Sequence, residues 1–268
     1  MSRARWLIVG CGYTGAALAR RLVAAGQDVV VTRRDAATAA ATARALGDGV
    51  RGIAADLRAD ALALPAADVV ACLAPPGDDP AAEMRRLACA ARGARLIYVS
   101  STGVYAPGGG AWVDEAWPTE PITASGRARL AAERALPADA IRLRAAGIHG
   151  PGRGLVERLR AGTYRIVGDG SAHVSRIHVD DLAAAIELAA GSRARGALNA
   201  ADDAPDPIGL VADTLAAQLG LPPPRRVPIA SVDPELAGML AADRRIANAA
   251  LKRELGLALR YPSWRALV

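Results

Sequence analysis

The sequence contains no phenylalanine, and aromatic residues make up only 3% of it. Lysine occurs once, at Lys252, so nearly all of its 33 basic residues are arginine. Arginine and lysine are not physically equivalent. Any chemistry that needs a lysine amine must therefore use Lys252 or be absent. The three cysteines, Cys11, Cys72 and Cys89, are widely separated and form no C-x-x-C pair. That excludes a zinc ribbon and a disulfide framework, and it fits a reducing, cytoplasmic compartment. No apolar, uncharged run reaches the roughly 18 residues that a membrane span needs. The short apolar stretch after Arg5 is too brief for a signal-peptide core, so no membrane association is expected. A G-x-S-x-G motif is also missing, which removes support for a nucleophile-elbow hydrolase.

What is present is ordinary globular material. Of 268 residues, 52% are hydrophobic and 22% charged, enough to bury a sizeable core in one large or two small domains. The net charge of +6 is spread along the chain and interleaved with carboxylates. It reads as a solvated surface, and no nucleic-acid partner is expected.

Apolar runs at Trp6–Val9, Val29–Val31, Val50–Ala54, Val69–Leu73 and Leu96–Ser100 alternate with helical stretches at 15–25, up to Leu46, and at 80–92. Strands that are continuously apolar, separated by helices, signal a parallel sheet covered on both faces. A further helix is expected at Ser125–Leu136. Strands are expected at Ile141–Ala145, around Tyr164–Val167 and Val174–Ile177, and at Gly196–Ala200. Helices are expected over 155–161 and from Asp181, with Asp180 as the N-cap, to Ala190. Beyond Asp202, prolines punctuate the helices. The fold class is thus α/β, a doubly wound parallel sheet, with a smaller C-terminal cap. Residues 1–150 would form the dinucleotide-binding domain. Residues 151–268 would complete the sheet and form a substrate-binding cap.

Gly10-Cys11-Gly12-Tyr13-Thr14-Gly15 is G-x-G-x-x-G, placed after a predicted strand and at the start of a predicted helix. In that setting it is the dinucleotide fingerprint. Gly10 permits the tight turn, Gly12 lets backbone approach a pyrophosphate, and Gly15 lets helix and strand pack closely. The second strand ends Thr32-Arg33-Arg34, with no acid at its tip to take ribose hydroxyls. Guanidinium groups match a 2′-phosphate bidentately, which favours NADP(H) over NAD(H).

These features, with Ala55-Asp56-Leu57, Tyr98-Val99-Ser100-Ser101-Thr102-Gly103-Val104-Tyr105, Trp112-Val113-Asp114-Glu115, Gly147-Ile148-His149-Gly150-Pro151-Gly152-Arg153, Arg176-Ile177-His178-Val179-Asp180-Asp181-Leu182 and Leu198-Asn199-Ala200-Ala201-Asp202, resemble the extended short-chain dehydrogenase/reductase superfamily. The similarity is to its NAD-dependent epimerase/dehydratase branch and spans nearly the whole chain. It implies a Rossmann fold and oxidoreductase or epimerase-like chemistry on a polar or sugar-like small molecule. It also implies cofactor contacts from Gly10, Gly12, Tyr13, Thr14, Gly15, Arg33, Arg34, Asp56, Leu57, Ala74 and Arg129. It allows a homodimer.

The resemblance implies three catalytic positions: a Ser or Thr that polarises the substrate oxygen, a Tyr that transfers the proton, and a Lys four residues later. Ser101 takes the first, with Thr102 beside it. Ser125 and Arg129 stand where Tyr and Lys are expected. A serine hydroxyl is much less acidic than a phenol and needs a separate base. Arginine can donate to ribose hydroxyls but cannot relay a proton. Tyr105 is the expected substitute donor. A cofactor-binding sensor without turnover is the rival reading. Arg153 and Arg176 are candidates for gripping an anionic or sugar-phosphate substrate. His173 and His178, with Asp180 and Asp181, are not spaced as metal ligands, and no metal is expected.

Overall fold

The computed structural model describes residues 3–266. Chain order begins β1 (Arg5–Val9), α1 (Tyr13–Ala24), β2 (Asp28–Arg33), α2 (Ala36–Leu46), β3 (Val50–Ala54), β4 (Val69–Cys72), α3 (Pro80–Ala90) and β5 (Arg95–Ser101). It continues with β6 (Trp112–Val113), α4 (Ala124–Ala135), β7 (Ile141–Ala145), β8 (Gly147–His149), α5 (Leu155–Arg160), β9 (Arg165–Val167), β10 (Arg176–His178) and α6 (Val179–Gly191). The last elements are β11 (Gly196–Ala200), α7 (Ile208–Gln218), β12 (Arg225–Val227), α8 (Pro234–Ala241), β13 (Arg245–Ile246) and α9 (Ala249–Leu255).

Seven strands form one parallel sheet in the order β11-β7-β5-β4-β1-β2-β3. The chain builds outward from β1 to β3, then returns to the other side of β1 to lay down β4. That reversal opens a crevice at the carboxyl ends of β1 and β4, where such sheets bind ligands. Successive side chains of each strand feed opposite faces. Trp6, Ile8, Val29, Val31, Ile97, Val99 and Leu143 pack with Leu18 and Leu22 of α1 and Leu182 and Ile186 of α6. Leu7, Val9, Val30, Val70, Cys72 and Tyr98 pack with Met84 and Leu87 of α3 and Ala132 of α4. Each fully buried aliphatic side chain here contributes roughly 1.5–3 kcal/mol. Both faces are covered, which is why the strands read as unbroken apolar runs.

The remaining strands are two- or three-residue parallel pairs: β8 with β10, β9 with β12, and β6 with β13. They hold the carboxyl-end loops of the sheet to the C-terminal third of the chain.

The start of α6 differs from expectation. The helix begins at Val179, and His178 is its N-cap, with Nδ1 accepting from Asp180 N at 3.2 Å. The Asp180 carboxylate stands 3.7 Å from the same ring nitrogen. Asp181, instead of opening the helix, accepts Arg260 N and Tyr261 N. The ring of Tyr261 stacks on His178 at 3.6 Å. Among the described residues, no helix is long and apolar enough to cross a membrane.

Candidate active site

A cleft of about 1120 Å³ runs along the carboxyl ends of β2, β1, β4 and β5 and on beneath α8. Single-ligand pockets span about 300–1,000 Å³, so this one has room for a dinucleotide and part of a second molecule.

The cofactor end is built on the glycine loop. Gly10 adopts φ +82°, a left-handed conformation, and a Cβ there would lie 2.6 Å from Ala74 N. Only glycine lets β4's exit loop seat against the turn. Gly10 N and Cys11 N donate to Thr32 Oγ1 and Thr32 O, which ties the loop to β2. Gly12 is the N-cap of α1 and no side chain caps the helix. Its first-turn N–H groups are left facing the cleft, where a pyrophosphate is favourably bound.

Arg33 and Arg34 both line this end. Arg33 Nη1 donates to Cys11 O at 2.9 Å, so its guanidinium braces the glycine loop. Asp35 is the acid nearest the β2 tip, but its carboxylate caps α2 by accepting from Thr38 N at 2.8 Å. That hydrogen bond holds its pKa below the ordinary value. Asp56 accepts from Arg58 N, Nε and Nη2, at distances down to 2.6 Å, which pulls its pKa down to about 2. Leu57 is buried beside it, and Ala74 and Tyr13 complete the lining. Glu83 of α3 also faces the cleft; one oxygen accepts from Gly77 N at 2.9 Å and the other is unpartnered.

At the centre, Ser101 Oγ accepts from Gly103 N at 3.0 Å and caps a short 3-10 turn over Thr102–Val104. The start of α4 packs against that turn. A Cβ on Gly126 would lie 2.3 Å from Gly103 O, so a larger residue there would push the two apart. The arrangement brings Ser101, Thr102, Ser125 and Arg129 to one stretch of wall. Arg129 Nη1 donates to Val99 O at 2.8 Å and to Tyr98 OH at 3.2 Å. Glu235 of α8 accepts from Ala124 N at 3.0 Å, from Ser125 N at 3.2 Å and from the Ser125 hydroxyl. These bonds hold the Glu235 pKa below its usual value. Serine at this position is thus paired with a carboxylate from the far end of the chain.

Two expected residues stand elsewhere. Tyr105 is fully buried and does not line the cleft; its hydroxyl donates to Asn199 Oδ1 at 2.7 Å and its ring lies 4.7 Å from the Arg144 guanidinium. Burial pushes its pKa up to about 12. A phenol in that position has no path to a substrate in the cleft. Arg176 is also buried: Nη1 donates to Val174 O, and Nη2 is unpartnered. Arg153 does line the cleft, with its guanidinium 5.3 Å from the Tyr13 ring. Glu115 accepts from Asn199 N, and Asp114 from Ala116 N, so both carboxylates order local backbone. No group of three or more potential metal ligands is brought together among the described residues.

Sequence reasoning missed Glu235, which lies 110 residues from Ser125 with no motif around it. It also missed Arg158, Arg165 and Arg244, which line the far end of the cleft. In a chain with so many arginines, composition cannot single these out.

Residues 6–201 match the NAD dependent epimerase/dehydratase family, and the chain belongs to that family. Among curated proteins, a 3-diazoavenalumate denitrifying reductase from a Streptomyces species is 35% identical over 134 residues, covering 46% of this chain. The match spans 44% of that reductase, less than half its length. Among solved structures, a functionally unknown conserved protein from Silicibacter pomeroyi superposes with a TM-score of 0.83 at 29% identity, covering 98% of this chain and 95% of that one. The human epimerase family protein SDR39U1, solved with NADPH, gives 0.80 at 22% identity, covering 97% and 96%. The last of these bears on fold alone.

Proposed function

We propose that this protein is an NADP(H)-dependent oxidoreductase that acts on a small anionic molecule. The observation that carries the cofactor preference is the tip of β2. Its one nearby acid, Asp35, is committed to capping α2, and Arg33 and Arg34 face the cleft. A 2′-phosphate meets two cations there, and a ribose 2′-hydroxyl meets no free carboxylate. The glycine loop fits a dinucleotide: Gly10 leaves no room for a side chain, and the uncapped start of α1 suits the pyrophosphate.

When bound, the nicotinamide supplies or accepts a hydride. The chain's own part is to place and move a proton. Ser101 Oγ accepts a backbone N–H, which leaves its hydrogen free to be given to a substrate oxygen. Ser125 donates its hydrogen to Glu235, so its lone pairs are left to take a substrate proton as its own passes to the carboxylate. That supplies the base a serine needs. Arg129 donates to Val99 O and holds the end of β5 in place.

The rival, a cofactor-responsive binding protein without turnover, is favoured by one observation: Ser125 and Arg129 occupy the positions where the family resemblance expects Tyr and Lys. Stoichiometric NADPH binding with no oxidation across a panel of carbonyl acids would support it.

The test of the cofactor preference uses Arg34, because Arg33 also braces the glycine loop. In fluorescence titrations, Arg34→Glu is expected to weaken NADPH by about tenfold or more and leave NADH within about twofold, since tenfold corresponds to about 1.4 kcal/mol. Equal loss for both, or no NADPH binding by the unaltered protein, overturns the reading.

A further inference from the structure

The wall beyond Ser101 differs from the rest of the cleft in what it can hydrogen-bond. Three arginines line it: Arg158 on α5, Arg165 on β9 and Arg244 before β13. Among the described residues, none of the three is paired with a carboxylate. No Asp, Glu, Asn, Gln or Lys side chain lines this end, because the lining carboxylates, Asp35, Asp56 and Glu83, all lie on the cofactor side. Two of the neutral hydroxyls of this region are already engaged, and the Tyr164 phenol is left over. Ser175 Oγ accepts from Ile246 N and points at Arg244 O, and Thr123 Oγ1 accepts from Gly126 N. His173 is occupied too, 2.8 Å from Asp243.

The guanidiniums are held in place. Arg165 Nη1 donates to Gly162 O and Tyr164 O, and Arg158 lies 4.9 Å from the Tyr164 ring centre. Arg244 donates to Ala106 O, Thr102 O and Tyr105 O, and burial lowers its pKa to about 10. Its backbone follows Asp243, the one non-glycine residue with positive φ among those described, at +40°. Strain of this kind is retained where surrounding structure enforces it. Between the arginines the wall is apolar: Leu236, Met239 and Leu240 of α8, with Ile208, Val174 and Ile246. Met239 is 59% exposed.

This end therefore offers side-chain donors and apolar surface but almost no side-chain acceptors. A sugar brings many hydroxyl hydrogens that need acceptors, and groups buried without one are costly. An anionic head brings only acceptors. Resting on the oxidoreductase reading above, we propose that the substrate is an amphipathic anion, an apolar body carrying a carboxylate or phosphate head, and not a nucleotide sugar. The head lies among Arg158, Arg165 and Arg244, and the body lies against α8.

The proposal is tested by isothermal titration of NADP⁺-loaded protein with 3-phenylpropanoate, phenyl phosphate, 3-phenylpropanol and UDP-glucose. At least one of the two aromatic anions is expected to bind at least tenfold tighter than the alcohol and tighter than UDP-glucose. Whether carboxylate or phosphate binds more tightly identifies the head. Arg158→Met with Arg165→Met is expected to cut the preference of anion over alcohol below threefold while NADP⁺ affinity is unchanged. Arg165→Gln alone serves if the double variant does not fold. Tightest binding by UDP-glucose, equal binding of anion and alcohol, a preference that survives the substitutions, or no binding by any probe at millimolar concentration overturns it. The same titration on cofactor-free protein separates the two readings. An anion preference there without NADP⁺ binding defeats the cofactor reading and leaves this one standing.

Discussion

The two ends of the cleft handle charge in opposite ways. At the cofactor end the carboxylates that line the wall each hold a donor: Asp35 has Thr38 N, Asp56 has Arg58 and Glu83 has Gly77 N. At the far end, arginines line the wall with no carboxylate to answer them. A fixed surplus of one sign in a concave site raises the local concentration of the opposite charge. The cofactor end thus combines backbone shape with the cations of Arg33 and Arg34, and the far end is left to an electrostatic field that awaits a ligand.

The largest effect that would break this contrast is at the glycine loop. Gly10→Ala forces a Cβ to within 2.6 Å of Ala74 N on a backbone at φ +82°. NADPH affinity is expected to fall by about a hundredfold or more, or the soluble protein to be lost, read by titration and by yield; such strain costs on the order of 3 kcal/mol. Retention within threefold would show that shape does not specify this end.

Two buried groups outside the cleft lining give the protein a pH signature. His149 is buried, and its pKa is pushed down to about 4 by burial and then by His178 and Arg176. The folded protein takes up that proton less readily than the unfolded chain, whose histidine titrates near 6.5. Stability from this group is present above about 6.5 and is lost as pH falls toward 4. Asp202 is also buried, and burial raises its pKa to about 7. It holds its proton more tightly when folded, so its stabilisation is present below about 4 and is lost as pH rises toward 7. Between those limits the two slopes oppose. In calorimetry, Asp202→Asn is expected to raise Tm at pH 8 by about 4 °C or more and to leave a stability that climbs with pH from about 4 to 6.5. No gain at pH 8 would show that Asp202 is ionised at no cost.

The smallest effect lies at the seam. Glu235→Gln keeps an acceptor for the start of α4 but removes the charge. Tm is expected to drop by only about 1–2 °C, as for an exposed interaction, with NADPH affinity unchanged. If an active substrate is in hand, Glu235→Gln should remove the acidic limb of its rate profile, because the base must be ionised to act, while KM stays fixed. A KM change alone would mean that Glu235 only holds α8 to α4.

The central sheet was legible in the sequence. The runs Ile141–Ala145 and Gly196–Ala200 coincide with β7 and β11, and the glycine loop sits where its motif places it. Strands buried on both faces carry their own signal, since each residue in the run is apolar. Strands β6, β8, β12 and β13 were not legible. They are two or three residues long, and they exist only because a distant segment pairs with them. The site divides the same way. Ser101, Ser125 and Arg129 were named from the family resemblance, and all three line the cleft. Tyr105 was misplaced because proximity along the loop says nothing about which way a ring turns. It turns into a buried cluster with Val113, Leu130 and Ile246. Glu235 and Arg244 were invisible because their roles are fixed by contacts across more than a hundred residues.

The pairing of β6 with β13 has a consequence for the order in which the molecule is made. Trp112 and Val113 emerge from a ribosome long before Arg245 and Ile246, the residues that they pair with. Strands β1 to β4 complete their mutual contacts within the first 72 residues. Domains generally form as units during synthesis, and long-range pairings form late. The residues of the glycine loop therefore leave the ribosome long before those of the wall opposite them.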